Sequence, residues 1–154
     1  MIKNARINLN LLLAEDNSAD MCLLKGLFEE KQAPVTMQWV TDGREVLDYV
    51  FRRNAFEHAH TPDIIMLDLG LPCLNGYEVL KELKATEGRT SRIPIIVLTT
   101  SQSIDDVEQC EGLGVDAFHS KPCDLDGYMA LVQKLLDQEF PRLAFAPPYY
   151  EDVN

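Results

Sequence analysis

The sequence lacks the features that mark nucleic-acid-binding and membrane proteins. Its 154 residues include 14 lysines and arginines against 25 aspartates and glutamates, a formal net charge of −11, and no run of basic residues. Binding nucleic acid needs clustered lysine and arginine. No apolar stretch approaches the roughly 20 residues that span a bilayer, and the first residues contain no signal-peptide cleavage site. We therefore expect a cytoplasmic protein that binds neither nucleic acid nor a membrane.

Cysteine is scarce and widely spaced. The four cysteines are Cys22, Cys73, Cys110 and Cys123. They form no CxxC pair, so a metal-binding or redox motif of that kind is excluded. Their irregular spacing is typical of reduced thiols in a cytosolic protein and does not suggest a disulfide framework.

Strand-like and helix-like patterns alternate along the chain. The predicted strands, rich in aliphatic and β-branched residues, are residues 7–14, 35–40, 64–68, 95–99 and 115–119. Each is followed by a segment with apolar residues at helical spacing, including a last helix after Asp124. Such alternation means βαβ units and a parallel sheet covered on both faces. We predict an α/β protein with a doubly wound, five-stranded parallel sheet of the flavodoxin-like type.

Charged and hydroxyl side chains stand at the ends of these strands. In the stretch IIMLDLGLP, Asp68 ends a buried strand, where a carboxylate is costly to desolvate unless it is paired. Glu15 and Asp16 follow the first strand, Thr99 ends the fourth, and Lys121 follows the fifth. Ligands of doubly wound sheets bind at the carboxyl ends of the strands. We therefore expect these five side chains to converge at one edge of the sheet.

The charge of this set predicts a metal ion. Two carboxylates about 5 Å apart repel each other by roughly 3 kcal/mol at an effective dielectric constant of about 20, and three cannot all stay ionised without a counter-charge. Lys121 supplies one positive charge, and Mg²⁺, which prefers carboxylate oxygens, waters and phosphate, would supply two more. An aspartate beside Mg²⁺, a hydroxyl and a lysine suits phosphoryl transfer to the carboxylate.

These residues, in their order and spacing, resemble the receiver domain of two-component response regulators. The matching set is Glu15-Asp16, Asp68, Pro72, Gly76, Thr99 and Lys121-Pro122. The resemblance covers residues 7–138 and implies the receiver fold with strand order 2-1-3-4-5; residues 139–154 are then a C-terminal tail, expected to pack on the domain or to take part in a dimer. It implies a signalling protein that catalyses only its own phosphorylation and dephosphorylation.

The resemblance also implies the role of each acidic residue. Asp68 would be the residue that a partner histidine kinase phosphorylates. Glu15, Asp16 and the Asp68 side chain would hold Mg²⁺, with the backbone carbonyl of Gly70 as a further ligand.

The remaining matched residues would bind the phosphoryl group or change position in response to it. Thr99 would bind it, and Lys121 would bridge it to the acidic cluster. Phe118, three positions before the lysine, matches the family's switch aromatic, which rotates inward when Thr99 moves toward the phosphate. His119 and Ser120 are interpreted as unremarkable solvent-side or loop residues.

A subgroup of the family is also indicated. The long second helix and loop at 44–61, the run IVLTTS and the extended C-terminus resemble the stand-alone regulators that partner phytochrome-type histidine kinases in cyanobacteria. This likeness implies a phytochrome-type kinase as partner. Because only a short tail follows the last predicted helix, we expect the signal to leave through a surface of the receiver itself.

The last helix and the tail carry more apolar residues than one packing face needs. Those expected to face the sheet are Leu125, Met129, Val132 and Leu136. Those that widen the apolar face are Tyr128, Leu131, Leu135 and, in the tail, Phe140, Leu143, Phe145, Tyr149 and Tyr150. Prolines are expected to keep the tail from forming a helix. Such a patch marks an interface, so we expect a homodimer through the fourth helix, fifth strand and last helix, extended by the tail.

Two other functions remain open at this point. One is a Mg²⁺-dependent phosphohydrolase with an aspartate nucleophile on a similar fold. That class carries a second aspartate two residues after the nucleophile, where this chain has Gly70, and a cap domain, for which the chain has no segment. The other is a receiver-like scaffold that works without phosphorylation, which would require the loss of an acidic residue or the lysine, and none is lost.

Overall fold

The computed structural model describes residues 8–100 and 103–145. In chain order its elements are β1 (Leu9–Ala14), α1 (Ser18–Glu30), β2 (Val35–Val40), α2 (Gly43–Val50), a 3₁₀ turn (Asn54–Phe56), β3 (Ile64–Leu67), α3 (Gly76–Ala85), a second 3₁₀ turn (Arg89–Arg92), β4 (Ile95–Thr99), α4 (Ile104–Gly112), β5 (Ala117–Ser120) and α5 (Leu125–Lys134). The last helix continues into π-helical turns over Leu135–Glu139 and Pro141–Phe145. Among the predicted residues, Ile7, Ser101, Tyr149 and Tyr150 lie outside the described ranges.

The five strands form one parallel sheet in the order β2-β1-β3-β4-β5, which confirms the predicted fold and strand order. The central strands consist of aliphatic runs because helices cover both of their faces; all four residues of β3 and all five of β4 are buried. Helices α1 and α5 pack on one face, and α2, α3 and α4 pack on the other.

All five α-helices begin at a side-chain cap near the carboxyl edge of the sheet. The capping residues, whose side chains accept backbone N–H groups of the first turn, are Asn17, Asp42, Asn75, Ser103 and Asp124. These caps fix where each helix starts relative to the preceding strand end, and therefore which side chains the first turns bring to the edge. No helix in the described part of the chain is long and apolar enough to cross a bilayer.

The orientation of α5 differs from the prediction. Leu125 and Met129, expected to face the sheet, have exposed fractions of 53% and 42%. The buried residues of this segment are Tyr128, Leu131, Val132 and Leu135. The sequence offers two adjacent apolar stripes, and periodicity alone cannot choose between them. The helix buries the stripe that contains the tyrosine, which leaves leucine and methionine in solvent.

The expectation that prolines would prevent a helix in the tail was wrong as far as residue 145. The chain stays helical through Pro141, where the turns are of the wider π type. A wider turn relieves the clash between a proline ring and the carbonyl four residues earlier. Phe140 is buried, its ring centroid 6.0 Å from that of Phe28, and Leu143 packs against the same cluster. These two residues therefore belong to the core and add nothing to an exposed patch.

Candidate functional site

The acidic residues meet where β1 and β3 end side by side. The two strands are in register, with Ala14 opposite Leu67, and the backbone N–H of Asp68 donates to the carbonyl of Ala14 at 3.1 Å. The residues after each strand are therefore neighbours. Carboxylate oxygens of Glu15, Asp16 and Asp68 lie within 4.8 Å of one another. Glu15 and Asp68 are buried and Asp16 is exposed, so the cluster opens to solvent on one side.

Lys121 lies over this cluster as predicted. Its Nζ atom is 2.7 Å from Oε1 of Glu15 and 3.1 Å from Oδ2 of Asp68, and its side chain is only 8% exposed. Burial acts to lower the pKa of Lys121, but its hydrogen bonds and the charges of the two carboxylates outweigh burial and raise the pKa above the ordinary value. The lysine is therefore held as an ammonium.

Glu15 shows that one ammonium does not neutralise the cluster. Burial raises the pKa of Glu15 above its ordinary value, against the lowering effects of the Lys121 hydrogen bond and of the backbone N–H of Asn17. The nearby charge of Asp68 adds to the rise. A cation between the carboxylates would remove this cost, and three oxygen donors with one side open to water are the ligands that Mg²⁺ prefers.

The loop that follows Asp68 places no side chain of residue 70 over the carboxylate. The backbone N–H of Gly70 donates to Oδ1 of Asp68 at 3.0 Å, and among the described residues beyond its two chain neighbours, only that oxygen lies within 4 Å of where a Cβ at Gly70 would stand. Gly76 closes the loop: its N–H donates to the carbonyl of Leu69 at 3.0 Å, and a Cβ there would lie 2.6 Å from the Cα of Leu69. Only glycine allows α3 to start this close to the loop.

Thr99 and Phe118 lie on the neighbouring strands. Thr99, which is buried, ends β4, and its carbonyl accepts the backbone N–H of Lys121 at 2.8 Å. In the register between β4 and β5, Val97 pairs with Phe118 and Thr99 with Ser120. The Phe118 side chain is half-buried against the core on the α2–α4 side of the sheet. The structure therefore brings Thr99 to the same edge as the acidic cluster, with Phe118 two residues further down.

Reasoning from strand ends alone did not identify two residues that contact the site. Asp20, on the first turn of α1, lies with Oδ2 3.2 Å from the Lys121 ammonium. Asparagine is a typical helix cap, so Asn17 could have revealed Asp20, because a helix starting there directs its first turn toward the site. Trp39 donates its indole N–H to the carbonyl of Glu15 at 2.6 Å. Nothing in the sequence indicated that contact.

The interpretation of His119 as a solvent-side residue was wrong. His119 lies in β5, and its Nε2 atom is 2.8 Å from both carboxylate oxygens of Glu139. The exposed fractions of the two side chains are 16% and 7%. The prediction failed because it ended the helix before Glu139, whereas the helical extension carries this residue back onto the sheet.

Comparison with known proteins agrees with this geometry. The chain is 34% identical over 125 residues to the probable methanogenesis regulatory protein FilR2 of Methanothrix harundinacea, covering 81% of this chain and 79% of FilR2. It is 32% identical over 123 residues to response regulator Rcp1 of Synechocystis sp., covering 80% of this chain and 83% of Rcp1.

Solved structures extend the likeness to three dimensions. The phosphorylated cyanobacterial phytochrome response regulator RcpA superimposes with a TM-score of 0.79 at 31% identity, covering 86% of this chain and 96% of RcpA. The Mn²⁺-bound form of Rcp1 gives a TM-score of 0.79 at 30% identity, covering 90% and 96%. The sequence profile of the response regulator receiver domain matches residues 11–133. With that match and this site geometry, the chain belongs to the response regulator receiver domain family.

Proposed function

We propose that this protein accepts a phosphoryl group on Asp68 from a partner histidine kinase in a two-component phosphorelay. One observation carries the proposal. The Asp68 carboxylate lies at the carboxyl edge of the sheet, within hydrogen-bond distance of the Lys121 ammonium and next to the Glu15–Asp16 pair. Both the nucleophile and the charges that a transferred phosphoryl group needs are therefore in one place.

The acidic cluster fits a divalent cation, which we assign as Mg²⁺. Glu15, Asp16 and the Asp68 side chain would be its protein ligands, with the backbone carbonyl of Gly70 as the fourth. When bound, the cation would neutralise charge on the phosphoryl oxygens. The Mn²⁺-bound form of Rcp1, a relative with the same fold, supports this assignment.

The chain's own residues then have distinct tasks. A carboxylate oxygen of Asp68 attacks phosphorus, the bond from phosphorus to the kinase histidine nitrogen breaks, and its electron pair stays on that nitrogen. Lys121 and the hydroxyl of Thr99 contact the new phosphoryl oxygens. Movement of Thr99 draws Phe118 inward and changes the surface formed by α4, β5 and α5. The same groups would promote transfer from a small phosphoryl donor and the later hydrolysis.

The partners follow from the likeness and from exposed apolar residues. RcpA is a phytochrome response regulator, so a phytochrome-type kinase is the proposed donor. Among the residues that the structure describes, α4 and α5 carry three large apolar side chains that are exposed: Ile104, Leu125 and Met129. Apolar groups exposed together favour an interface, and we propose that a homodimer forms there.

The two alternatives find less support. A phosphohydrolase of the aspartate-nucleophile class needs an acid/base two residues after Asp68, and Gly70 at that position has no side chain. A scaffold without phosphorylation would have lost part of the site, whereas the acids and the lysine are all in contact.

Incubation with acetyl phosphate and Mg²⁺ tests the proposal. We expect the intact mass to rise by one phosphoryl group, and hydroxylamine to remove it, as it does from an acyl phosphate. Asp68→Asn should abolish the mass increase. Asp63→Asn is the matched control, because Asp63 stands just before the other end of β3 and contacts the backbone of Asn10. Phosphorylation of Asp68→Asn, or none of the unaltered protein, would contradict the assignment.

Phosphotransfer from purified kinases tests the partner. Transfer from a phytochrome-type kinase should be faster than from kinases of other classes. Light scattering tests the dimer: Met129→Glu should yield monomers from a dimeric parent. Truncation is a poor test of that interface, because a chain ending before Phe140 loses a core residue.

A further inference from the structure

Asp20 is a fourth carboxylate at the site, with no place in the proposed metal cluster. It approaches the Lys121 ammonium at 3.2 Å, beside contacts to Glu15 and Asp68. An ammonium has three N–H donors, and three carboxylates surround this one. A phosphoryl group on Asp68 would take over the contact that Asp68 now makes with Lys121, and a closer approach of the ammonium to the phosphoryl oxygens would weaken its contact with Glu15 or Asp20.

Asp20 is the carboxylate that can lose its contact with Lys121 at the lowest cost in free energy. Its side chain is 25% exposed, whereas that of Glu15 is 1% exposed, so water can solvate Asp20 after the ammonium leaves. Its contact to Lys121 is also longer than that of Glu15. The Glu15 carboxylate has almost no access to solvent that could replace the ammonium.

Tyr128 offers Asp20 a second partner. Its hydroxyl is buried and has no partner at full hydrogen-bond geometry within the described part of the chain, although Asp20 is already close enough for a weak hydrogen bond to affect the pKa of the tyrosine. Burial and the neighbouring Asp20 carboxylate raise the pKa of Tyr128 to about 12, so the hydroxyl keeps its proton near neutral pH. Buried hydroxyls without partners are rare, and this one lies on α5, part of the proposed output surface.

We propose that Asp20 competes with the phosphoryl group on Asp68 for the Lys121 ammonium, and turns to the Tyr128 hydroxyl when the phosphoryl group takes its place. The inference rests on the proposed function and adds a positioning residue to it. Asp20 determines how readily the Lys121 ammonium moves to the phosphoryl group. When Asp20 bonds to Tyr128 instead, it connects the site to α5 by a route separate from Thr99 and Phe118.

The competition predicts opposite effects on an anion and on a cation. In Asp20→Asn the ammonium is held less tightly and one negative charge is gone. The affinity for beryllium trifluoride, a phosphoryl mimic, should rise about fivefold at saturating Mg²⁺, about the worth of one hydrogen bond. The affinity for Mg²⁺ alone should fall about twofold to threefold, because the site is less negative and Lys121 competes more strongly for its ligands.

The experiment uses the full chain and the fluorescence of Trp39, its only tryptophan, which bonds to the carbonyl of Glu15. Mg²⁺ and beryllium trifluoride are titrated into the parent, Asp20→Asn and Asp20→Ala. Asp126→Asn is the matched control, since it removes an exposed first-turn aspartate from α5. Both Asp20 variants should shift the two affinities in opposite directions, and the control should shift neither.

The hand-over to Tyr128 is tested by a double-variant cycle. Tyr128→Phe should weaken binding of beryllium trifluoride about twofold in the parent and leave it unchanged in Asp20→Asn. A loss of the same size in both backgrounds would overturn the hand-over. If Asp20→Asn and Asp20→Ala bind beryllium trifluoride no better than the parent, the competition is overturned. Damage to folding would lower the affinities for beryllium trifluoride and for Mg²⁺ together, so it cannot produce the expected rise. If the parent binds no mimic at all, the proposed function fails instead.

Discussion

Two clusters of charged and polar side chains meet at the end of β5, one around His119 in the strand and one around Lys121 just after it, and they differ in composition. Around Lys121, three carboxylates share one ammonium, and a fourth, Asp16, lies at the rim. Around His119, a single buried carboxylate from Glu139 meets a single imidazole, with Lys134 at 3.9 Å. The first cluster has excess negative charge and an open side, while the second is a matched pair, one carboxylate with one imidazole, and is closed.

The difference separates a site that binds something from a contact that holds the fold together. Excess buried charge is unfavourable unless a cation or an anion-binding partner compensates it, so it persists where a ligand does that. The contact between His119 and Glu139 needs no ligand, and it holds the helical extension of α5 against β5. Variants of the two clusters should therefore respond differently to Mg²⁺.

Lys121→Met should have the largest effect. It leaves Glu15 and Asp68 buried without their cation, and breaking a buried ion pair costs about 3 to 5 kcal/mol of unfolding free energy. Mg²⁺ should restore much of that loss, since the cation binds the same carboxylates, now without a competing ammonium. Urea unfolding with and without Mg²⁺ measures both effects. A loss that Mg²⁺ leaves untouched would mean that the metal lies elsewhere.

His119→Leu should cost less, about 2 kcal/mol, because Glu139 then loses its buried hydrogen-bond partner and keeps only the more distant Lys134. Here Mg²⁺ should restore nothing. Adding Glu139→Met should return the free energy of unfolding to near the parent value, because two apolar side chains replace the pair. Urea unfolding of the two variants decides this. If His119→Leu is as stable as the parent, the contact between His119 and Glu139 does not stabilise the fold.

The same contrast explains what sequence could predict. The aliphatic runs of β1, β3 and β4 and the turn residues around them predicted the sheet, and the strand ends predicted that Glu15, Asp68 and Lys121 would meet. Those inferences depend on neighbours in sequence and on the general rule for doubly wound sheets. The charge excess was also visible, because it only required counting residues at strand ends.

The His119–Glu139 contact and the rotation of α5 could not be predicted in this way. The pair joins residues 20 apart, with all of α5 and the π-helical turn that follows it between them. Both apolar stripes of α5 satisfy helical periodicity, and the choice between them depends on the fit of Tyr128 beneath the site. Such features come from packing between elements, for which a single sequence carries no local signal.

Asp16→Ala should lower the affinity for Mg²⁺ by about tenfold, or roughly 1.4 kcal/mol. Mg²⁺ dehydrates reluctantly, so a site with one fewer anionic ligand holds it less well. Because Asp16 is exposed, removing it should leave the free energy of unfolding nearly unchanged without metal. Titration followed by Trp39 fluorescence measures the affinity. An unaltered Mg²⁺ affinity would exclude Asp16 as a ligand.

A pH dependence of the unfolding free energy should also arise beneath the charged cluster. Burial, followed by the Asp20 charge, raises the pKa of Tyr128 from 10.0 to about 12. Above pH 10 an unfolded tyrosine loses its proton while the folded one keeps it, so the unfolded state binds fewer protons. The free energy of unfolding should then fall as pH rises from 10 to 12, by at most about 1.4 kcal/mol per pH unit.

Tyr128→Phe identifies the source of that fall. The variant lacks the titrating hydroxyl, so its free energy of unfolding should vary less between pH 10 and 12 than that of the parent. Tyr49→Phe is the control for a second tyrosine whose pKa burial also raises, but which packs on Phe56 on the other side of the sheet. Urea unfolding at closely spaced pH values, with tyrosinate absorbance as an independent measure, compares the three proteins. If the free energy of unfolding of Tyr128→Phe falls with pH as steeply as that of the parent, the Tyr128 hydroxyl ionises as readily as that of a free tyrosine. The acidic cluster around Lys121 would then have no effect on α5 through Tyr128.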